Sequence, residues 1–280
     1  VAWRRHVTCR CVIQSTPGQI TMRVQLHGVS KTFTDTAEPL PALATITLDI
    51  ASGEFVCFIG PNGCGKSTLL RVIADQVAPT SGAVRIDGAP PTKVRARKQI
   101  AWMAQDPALL PWKTVLDNIR LPQVINLRAG RHTGRPTGRQ PGEAALNPND
   151  LLEMVELAGF AGAYPGTLSG GMQQRVALAR TLAIGARLWL MDEPFSALDE
   201  LTRERLTEEL LSLWHRFRPT VLWITHNIAE AARLADRIVV MTQSPGAIRG
   251  VVSVNIDRPR DETTPEMGTV IRALREMLRR

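Results

Sequence analysis

Apolar and polar positions alternate over Met22-Arg23-Val24-Gln25-Leu26-His27-Gly28-Val29, the period-two pattern of a strand with one buried face. A second alternating stretch, Ala44 to Ile50, ends in the turn Ala51-Ser52-Gly53. Strand-like pieces follow at Gly82 to Ile86 and Gln99 to Gln105, with Asp87-Gly88 as a turn signal between them. These short pieces predict an antiparallel patch. A second pattern, the largely apolar run, occupies Phe55–Ile59, Leu188–Met191, Thr220–Thr225 and Arg237–Thr242. Helical periodicity precedes the last three, at Met172–Leu182, Leu201–Phe217 and Ala229–Ala235. Helices alternating with wholly apolar strands predict an α/β fold whose sheet is mostly parallel and covered on both faces.

Between these two regions the character changes. Pro107, Pro111 and Pro122 punctuate a helical region, and residues 128–149, rich in Gly, Pro and Arg, read as a flexible loop. Asn149 or Asp150 is expected to cap a helix over LLEMVELAGF, Leu151 to Phe160. Residues 107–167 thus read as a helical subdomain inserted between two parts of a core, 22–106 and 168–245. Thr264-Pro265-Glu266 opens a last helix within 261–280, with Val270, Ile271, Leu274, Met277 and Leu278 on one face. Residues 1–21 lack a signal-peptide pattern, and Met22 directly precedes the first strand. Met22 is therefore a candidate translation start, and 1–21 are expected to be disordered or not made.

Charge and cysteines narrow the picture only a little. A net charge of +8 admits nucleic acid or an anionic membrane surface as a partner. The excess is concentrated in segments read as tails and loops, such as Arg4, Arg5 and Arg10, and Arg128, Arg131, Arg135 and Arg139. Cys57 lies in an apolar strand and Cys64 in a glycine loop, while Cys9 and Cys11 lack the second pair that a zinc site requires. A reducing, cytoplasmic setting is expected. No stretch reaches the ~18 apolar residues of a membrane span.

The candidate chemistry begins at GPNGCGKST: Gly60, Pro61, Asn62, Gly63, Cys64, Gly65, Lys66, Ser67 and Thr68. This matches the phosphate-cradling pattern G-x-x-x-x-G-K-[ST], with a strand before it and a helix after it, so backbone N–H groups and a helix dipole converge on an anion. Glycines are expected there because a Cβ would hold the backbone away from phosphate. Lys66 would reach the β- and γ-phosphates of ATP, and Ser67 would hold Mg²⁺. ATP is expected to shield the Cys64 thiol. At LWLMDEP a buried strand delivers Asp192, a second candidate Mg²⁺ ligand, and Glu193, placed to polarise an attacking water as general base. Leu168-Ser169-Gly170-Gly171-Met172-Gln173-Gln174-Arg175 opens a helix on a second set of free N–H groups, and so forms a second anion site.

Taken together, these motifs resemble the ATP-binding subunit of an ABC transporter over about Met22 to Arg260: a P-loop NTPase, RecA-like core with an antiparallel β subdomain and an inserted helical subdomain. The resemblance implies that Ser169, Gly170 and Gly171 bind the γ-phosphate of ATP held on the P-loop of a second, identical subunit. It makes Gln105 the Q-loop glutamine, serving both metal and catalysis, and Ser196-Ala197-Leu198-Asp199 the D-loop. His226 becomes the switch histidine, and Phe33 the aromatic that stacks on adenine. LLPWKTVLDNI, AYPGTLSGGMQQRVALAR, DEPFSALDELTR and ITHNIAEAARLADRIVVMTQSPGAI resemble the nitrate/sulfonate/taurine importer branch. A peripheral subunit on the cytoplasmic face of the plasma membrane is then implied. It would be coupled to a separate permease and, indirectly, to a substrate-binding protein. Asn62, Asp75-Gln76 and the long loop 128–149 depart from that branch's usual pattern. Trp112 is a candidate anchor for the permease or else a core residue. The alternative function is an ABC-type ATPase acting on nucleic acid or ribosomes, although nucleic acid is not the expected partner.

Overall fold

The computed structural model describes residues 22–34, 38–133 and 146–279. The leading segment 1–21 and the centre of the expected flexible loop, 134–145, lie outside the described residues.

Two sheets carry the fold. The first joins β1 (Val24–Phe33), β2 (Leu40–Ile50) and β4 (Ser81–Ile86) in the order β2-β1-β4, all antiparallel. The second contains β3 (Phe55–Ile59), β5 (Ile100–Met103), β6 (Leu188–Asp192), β7 (Thr220–Ile224), β8 (Arg237–Met241) and β9 (Ile248–Ser253). Its order is β5-β6-β7-β3-β8-β9, parallel except where β9 runs against β8. Every residue of β3, β6 and β7 is buried, as expected for apolar strands covered on both faces. Phe55, Cys57 and Ile59 face one apolar cluster, and Val56 and Phe58 face the other. Phe55 packs edge-on to Trp214 at 6.0 Å, and Phe195 meets Trp223 at 4.9 Å. Each large buried side chain of this kind contributes roughly 1.5–3 kcal/mol.

The helices are α1 (Lys66–Ile73), α2 (Pro91–Ala96), α3 (Val115–Thr133), α4 (Pro148–Met154), α5 (Gly170–Leu182), α6 (Glu200–Phe217), α7 (Ile228–Leu234) and α8 (Pro265–Arg279). Several differ from expectation. The strand predicted at 99–105 belongs to the parallel sheet rather than the antiparallel patch. Residues 128–133 continue α3, which passes through Pro122, and 148–149 already belong to α4, so the expected loop 128–149 is shorter at both ends. Asn147 caps α4 in place of Asn149 or Asp150. Its side chain accepts the Asn149 N–H, and Pro148 supplies the fixed φ of a first helical position. The helix expected to reach Phe160 stops at Met154. Glu156 then takes a left-handed φ of 56°, and Ala158–Phe160 forms a 3-10 turn. Neither α2 nor β9 is visible as a clear period in the sequence.

The segment after β9 is pinned by two arginines. Arg258 pairs with Asp236 at 2.8 Å and lies over the Trp214 ring at 4.6 Å. Arg260 is buried and donates to the carbonyls of Ala232 (2.9 Å), Ala235 (2.6 Å), Val254 (3.0 Å) and Ile256 (2.9 Å). Burial pushes its pKa down to about 10.

Candidate active site

Adjacent parallel strands end at one edge of the sheet, where open α/β sheets bind ligands. β3 leads into residues 60–68, β6 ends on Asp192, β7 runs into Thr225 and His226, and β5 runs toward Gln105. The strand order therefore sets Gln105, the Asp192-Glu193 pair, His226 and the glycine loop side by side.

The loop is shaped by its glycines, but for more than one reason. A Cβ on Gly60 would lie 2.9 Å from the Met241 carbonyl oxygen, and one on Gly65 would lie 2.6 Å from that of Ala42. Gly63 alone of the three faces open space. Gly60 and Gly65 thus serve close packing on the protein's own backbone, which the expectation about phosphate approach did not include. Gly65, at φ 92°, is the residue before α1 and so turns the chain into the helix. Lys66 is buried, with Nζ donating to the Gly60 and Pro61 carbonyls at 2.8 and 2.9 Å. The ammonium therefore spans the loop that would cradle phosphate. Cys64 departs from expectation, because its side chain is buried in the apolar cluster beneath the loop and is shielded by the fold itself.

Ser67 Oγ donates to Asp192 Oδ1 at 3.1 Å, joining the first turn of α1 to the end of β6. Burial pushes the Asp192 carboxyl up from its ordinary value, the Ser67 hydrogen bond opposes this, and the neighbouring Glu193 charge adds to it. A hydroxyl and a buried carboxylate form a hard-oxygen donor pair that fits Mg²⁺. Among the described residues no group of three or more His, Cys, Asp or Glu side chains could hold a metal ion.

Glu193 adopts φ 48°, an uncommon conformation for a residue with a Cβ, at a cost of about 1–3 kcal/mol. Its backbone is held on both sides: its N–H donates to the Ile224 carbonyl at 3.0 Å, and its carbonyl accepts from Gln174 Nε2 at 3.3 Å. Glu193 Oε2 lies 3.2 Å from His226 Nδ1; the carboxylate is 15% exposed and the imidazole 60%. Asn227 caps α7 with its side chain on the N–H groups of Ala229 and Glu230, fixing the turn that carries His226.

Ser169 caps α5, its Oγ accepting the Met172 N–H at 3.3 Å, and Ser169 and Gly170 are exposed. A Cβ on Gly171 would lie 3.0 Å from the Ala197 carbonyl oxygen, so this turn packs on residues 196–199. Arg175 ties the same helix to the helical lobe through the Val155 carbonyl (2.9 Å) and Glu156 (3.5 Å). Among the described residues no hydrogen bond joins 169–171 to 60–68; the two anion sites open separately. Phe33 ends β1 opposite Leu40 with the Lys31 ammonium 5.0 Å from its ring.

Two residues near the chemistry were not singled out from the sequence. Gln174 is buried and holds the Glu193 backbone. Glu230, also buried, accepts from Trp223 Nε1 at 2.6 Å and lines the same cleft as Glu193 and His226. Burial pushes its carboxyl up, against hydrogen bonds from Trp223 and Thr225. Its position in α7 offered one signal, an acidic residue on an otherwise apolar face.

On the helical lobe, Trp112 is 70% exposed, which excludes the core reading. Buried Asn118 presents it, bonding to the carbonyls of Leu110, Lys113 and Thr114. Hydrogen bonds from Val115 and Leu116 to the Ala163 and Ala161 carbonyls tie the start of α3 to the segment that carries exposed Phe160 and Tyr164.

Known proteins resemble this chain in sequence and in fold. A family model described as ABC transporter matches residues 43–196. The nitrate import ATP-binding protein NrtD of Synechococcus elongatus is 44% identical over 83% of this chain and 81% of its own. The aliphatic sulfonates import ATP-binding protein SsuB 2 of Burkholderia cenocepacia is 41% identical over 80% and 77%. A solved dimeric ATP-binding cassette in a post-hydrolysis state, bound to ADP and Pi, superposes with a TM-score of 0.71 at 34% identity. It covers 84% of this chain and 100% of that one.

Proposed function

Because this chain belongs to the ABC transporter family, as an ATP-binding and ATP-hydrolysing subunit, we propose that it powers uptake of a small anion such as nitrate or a sulfonate through a separate membrane permease. The observation that carries the catalytic part is the line Ser67–Asp192–Glu193–His226 along one sheet edge, with Lys66 in the loop beside it. Relatives named for nitrate, bicarbonate and sulfonate support the anion class.

In this reading residues 60–68 wrap the phosphates, and Lys66 exchanges its carbonyl partners for β- and γ-oxygens. Ser67 and Asp192 would hold Mg²⁺, which when bound neutralises charge building on the transferred phosphoryl group. Gln105 reaches the same edge from β5. Glu193 accepts the proton of the attacking water, and His226, on its partner-facing side, holds the carboxylate and contacts the γ-phosphate. Phe33 supplies a stacking surface for adenine, worth ~1–3 kcal/mol. The exposed Ser169–Gly171 turn meets ATP bound on a second copy. The γ-phosphate then gains contacts only when the pair closes, the differential affinity that drives a switch. Trp112, Phe160 and Tyr164 offer the permease exposed aromatic side chains on the helical lobe, and a substrate-binding protein delivers the solute on the far side. The subunit itself sits peripherally on the cytoplasmic face; none of its described helices is long and apolar enough to cross a membrane.

The test is a strain in which the chain carries Lys66→Ala, grown with nitrate or an alkanesulfonate as sole nitrogen or sulfur source. Loss of growth on one anion, with co-purification of the wild-type chain with a membrane permease, supports the proposal. Normal growth on all such anions, together with salt-sensitive DNA binding, would favour an ATPase acting on nucleic acid.

A further inference from the structure

We propose that Gly246 is a positioning residue of the nucleotide site, and that the turn 242–247 is a backstop setting where the phosphate loop stands. A Cβ built on Gly246 would lie 1.9 Å from the Cys64 carbonyl oxygen and 3.1 Å from the Cys64 carbonyl carbon. No side-chain rotation relieves an overlap with backbone. Gly246 is not in the left-handed region, so space, and not φ, demands glycine.

The turn is braced on both sides. Gly246 donates to the Ala42 carbonyl at 3.0 Å and accepts from the Ala44 N–H at 3.0 Å, a parallel bridge onto β2. Ala247 N–H bonds to Thr242 Oγ1 at 2.9 Å, closing the turn, and Ser244 Oγ donates to the Pro41 carbonyl at 3.2 Å. The β2 segment held in this way is the one that abuts Gly65. The β1–β2 pair also carries Phe33 at its end. The phosphate loop and the proposed adenine platform are therefore both registered on one glycine about 180 residues downstream of the loop. Moving that glycine moves the backbone donors against which a triphosphate is measured.

It presupposes that residues 60–68 hold ATP, so the test includes Lys66→Ala as a reference. Full-length Gly246→Ala, Thr242→Val and Gly268→Ala are compared by ATP titration per folded molecule and by steady-state phosphate release. Gly268 has open space where its Cβ would sit and serves as the control. Gly246→Ala should raise the KM for ATP by about 10²-fold, the effect of a misplaced binding group, with a smaller fall in kcat. Thr242→Val should raise it about fivefold, as for one lost hydrogen bond, and Gly268→Ala should change neither. Wild-type affinity in folded Gly246→Ala overturns the inference. If Gly246→Ala fails to fold, wild-type affinity in Thr242→Val overturns it instead. If Lys66→Ala itself binds and turns over ATP normally, the site assignment fails; if only Lys66→Ala loses ATP, the site stands and the backstop role falls.

Discussion

Glu193 Oε2 and His226 Nδ1 stand 3.2 Å apart across the ends of two neighbouring strands, β6 and β7. The carboxylate is nearly enclosed and the imidazole reaches outward, so the pair links the interior of the site to its mouth. Replacing Glu193 by Gln keeps the shape and removes the proposed base. Phosphate release should fall about 10²–10⁴-fold, the range for a lost general base, while ATP binding persists and the closed dimer accumulates. Single-turnover phosphate release with light scattering measures both. His226→Ala should slow turnover without accumulating that dimer to the same degree.

Asp192 sets stability against function. Its carboxyl is raised by burial, so the folded chain disfavours the charge that the unfolded chain carries freely. The associated stability is fully present below the ordinary carboxylate range and is lost as pH rises through the raised value. Asp192→Asn escapes that loss. Its melting temperature should match wild type in acid, exceed it at neutral pH, and accompany loss of Mg²⁺-dependent hydrolysis. Thermal melts across the acid-to-neutral range test the sign.

Cys57 and Cys64 are both buried, and burial pushes the Cys57 thiol well above its usual range. Both should resist thiol reagents in native buffer with or without ATP and react fully in denaturant. Peptide mapping of the labelled sites separates them from Cys9 and Cys11. ATP-dependent protection of Cys64 would mean that the loop opens more than this packing allows.

Arg260 donates to five backbone carbonyls from one guanidinium. Arg260→Ala strands those acceptors and should cost about 3–5 kcal/mol, as for a broken buried charged network. Arg260→Lys recovers only part, since an ammonium lacks the planar fork. Urea unfolding of the two variants gives the comparison, with the ATP KM of the remaining folded protein unchanged.

Much of the site was legible because its chemistry sits at the ends of apolar strands, and those strands announce themselves as runs such as FVCFI and LWLMD. Residues 60–68, Asp192 and Glu193 could be found that way, whereas His226 was picked out only by resemblance to a family. The strand order could not, since nothing local says that β7 separates β3 from β6. The sequence pattern also overran α4, because Val155 and Leu157 keep helical spacing while Glu156 turns left-handed. The reason for Gly60 and Gly65 was half visible: a loop pattern tells of phosphate, whereas Met241 and Ala42 meet these residues only in the folded chain. Gly246 carried no signal of its own for the same reason, since Cys64 meets it only in the folded chain.

The place of β7 has a consequence for the birth of the molecule. A nascent chain synthesised as far as Glu193 already holds the glycine loop and the acidic pair, yet the strand that seats them as near neighbours is still to be translated. Such an intermediate lacks the strand that spaces the loop from the acidic pair, so assembly of the site waits for β7.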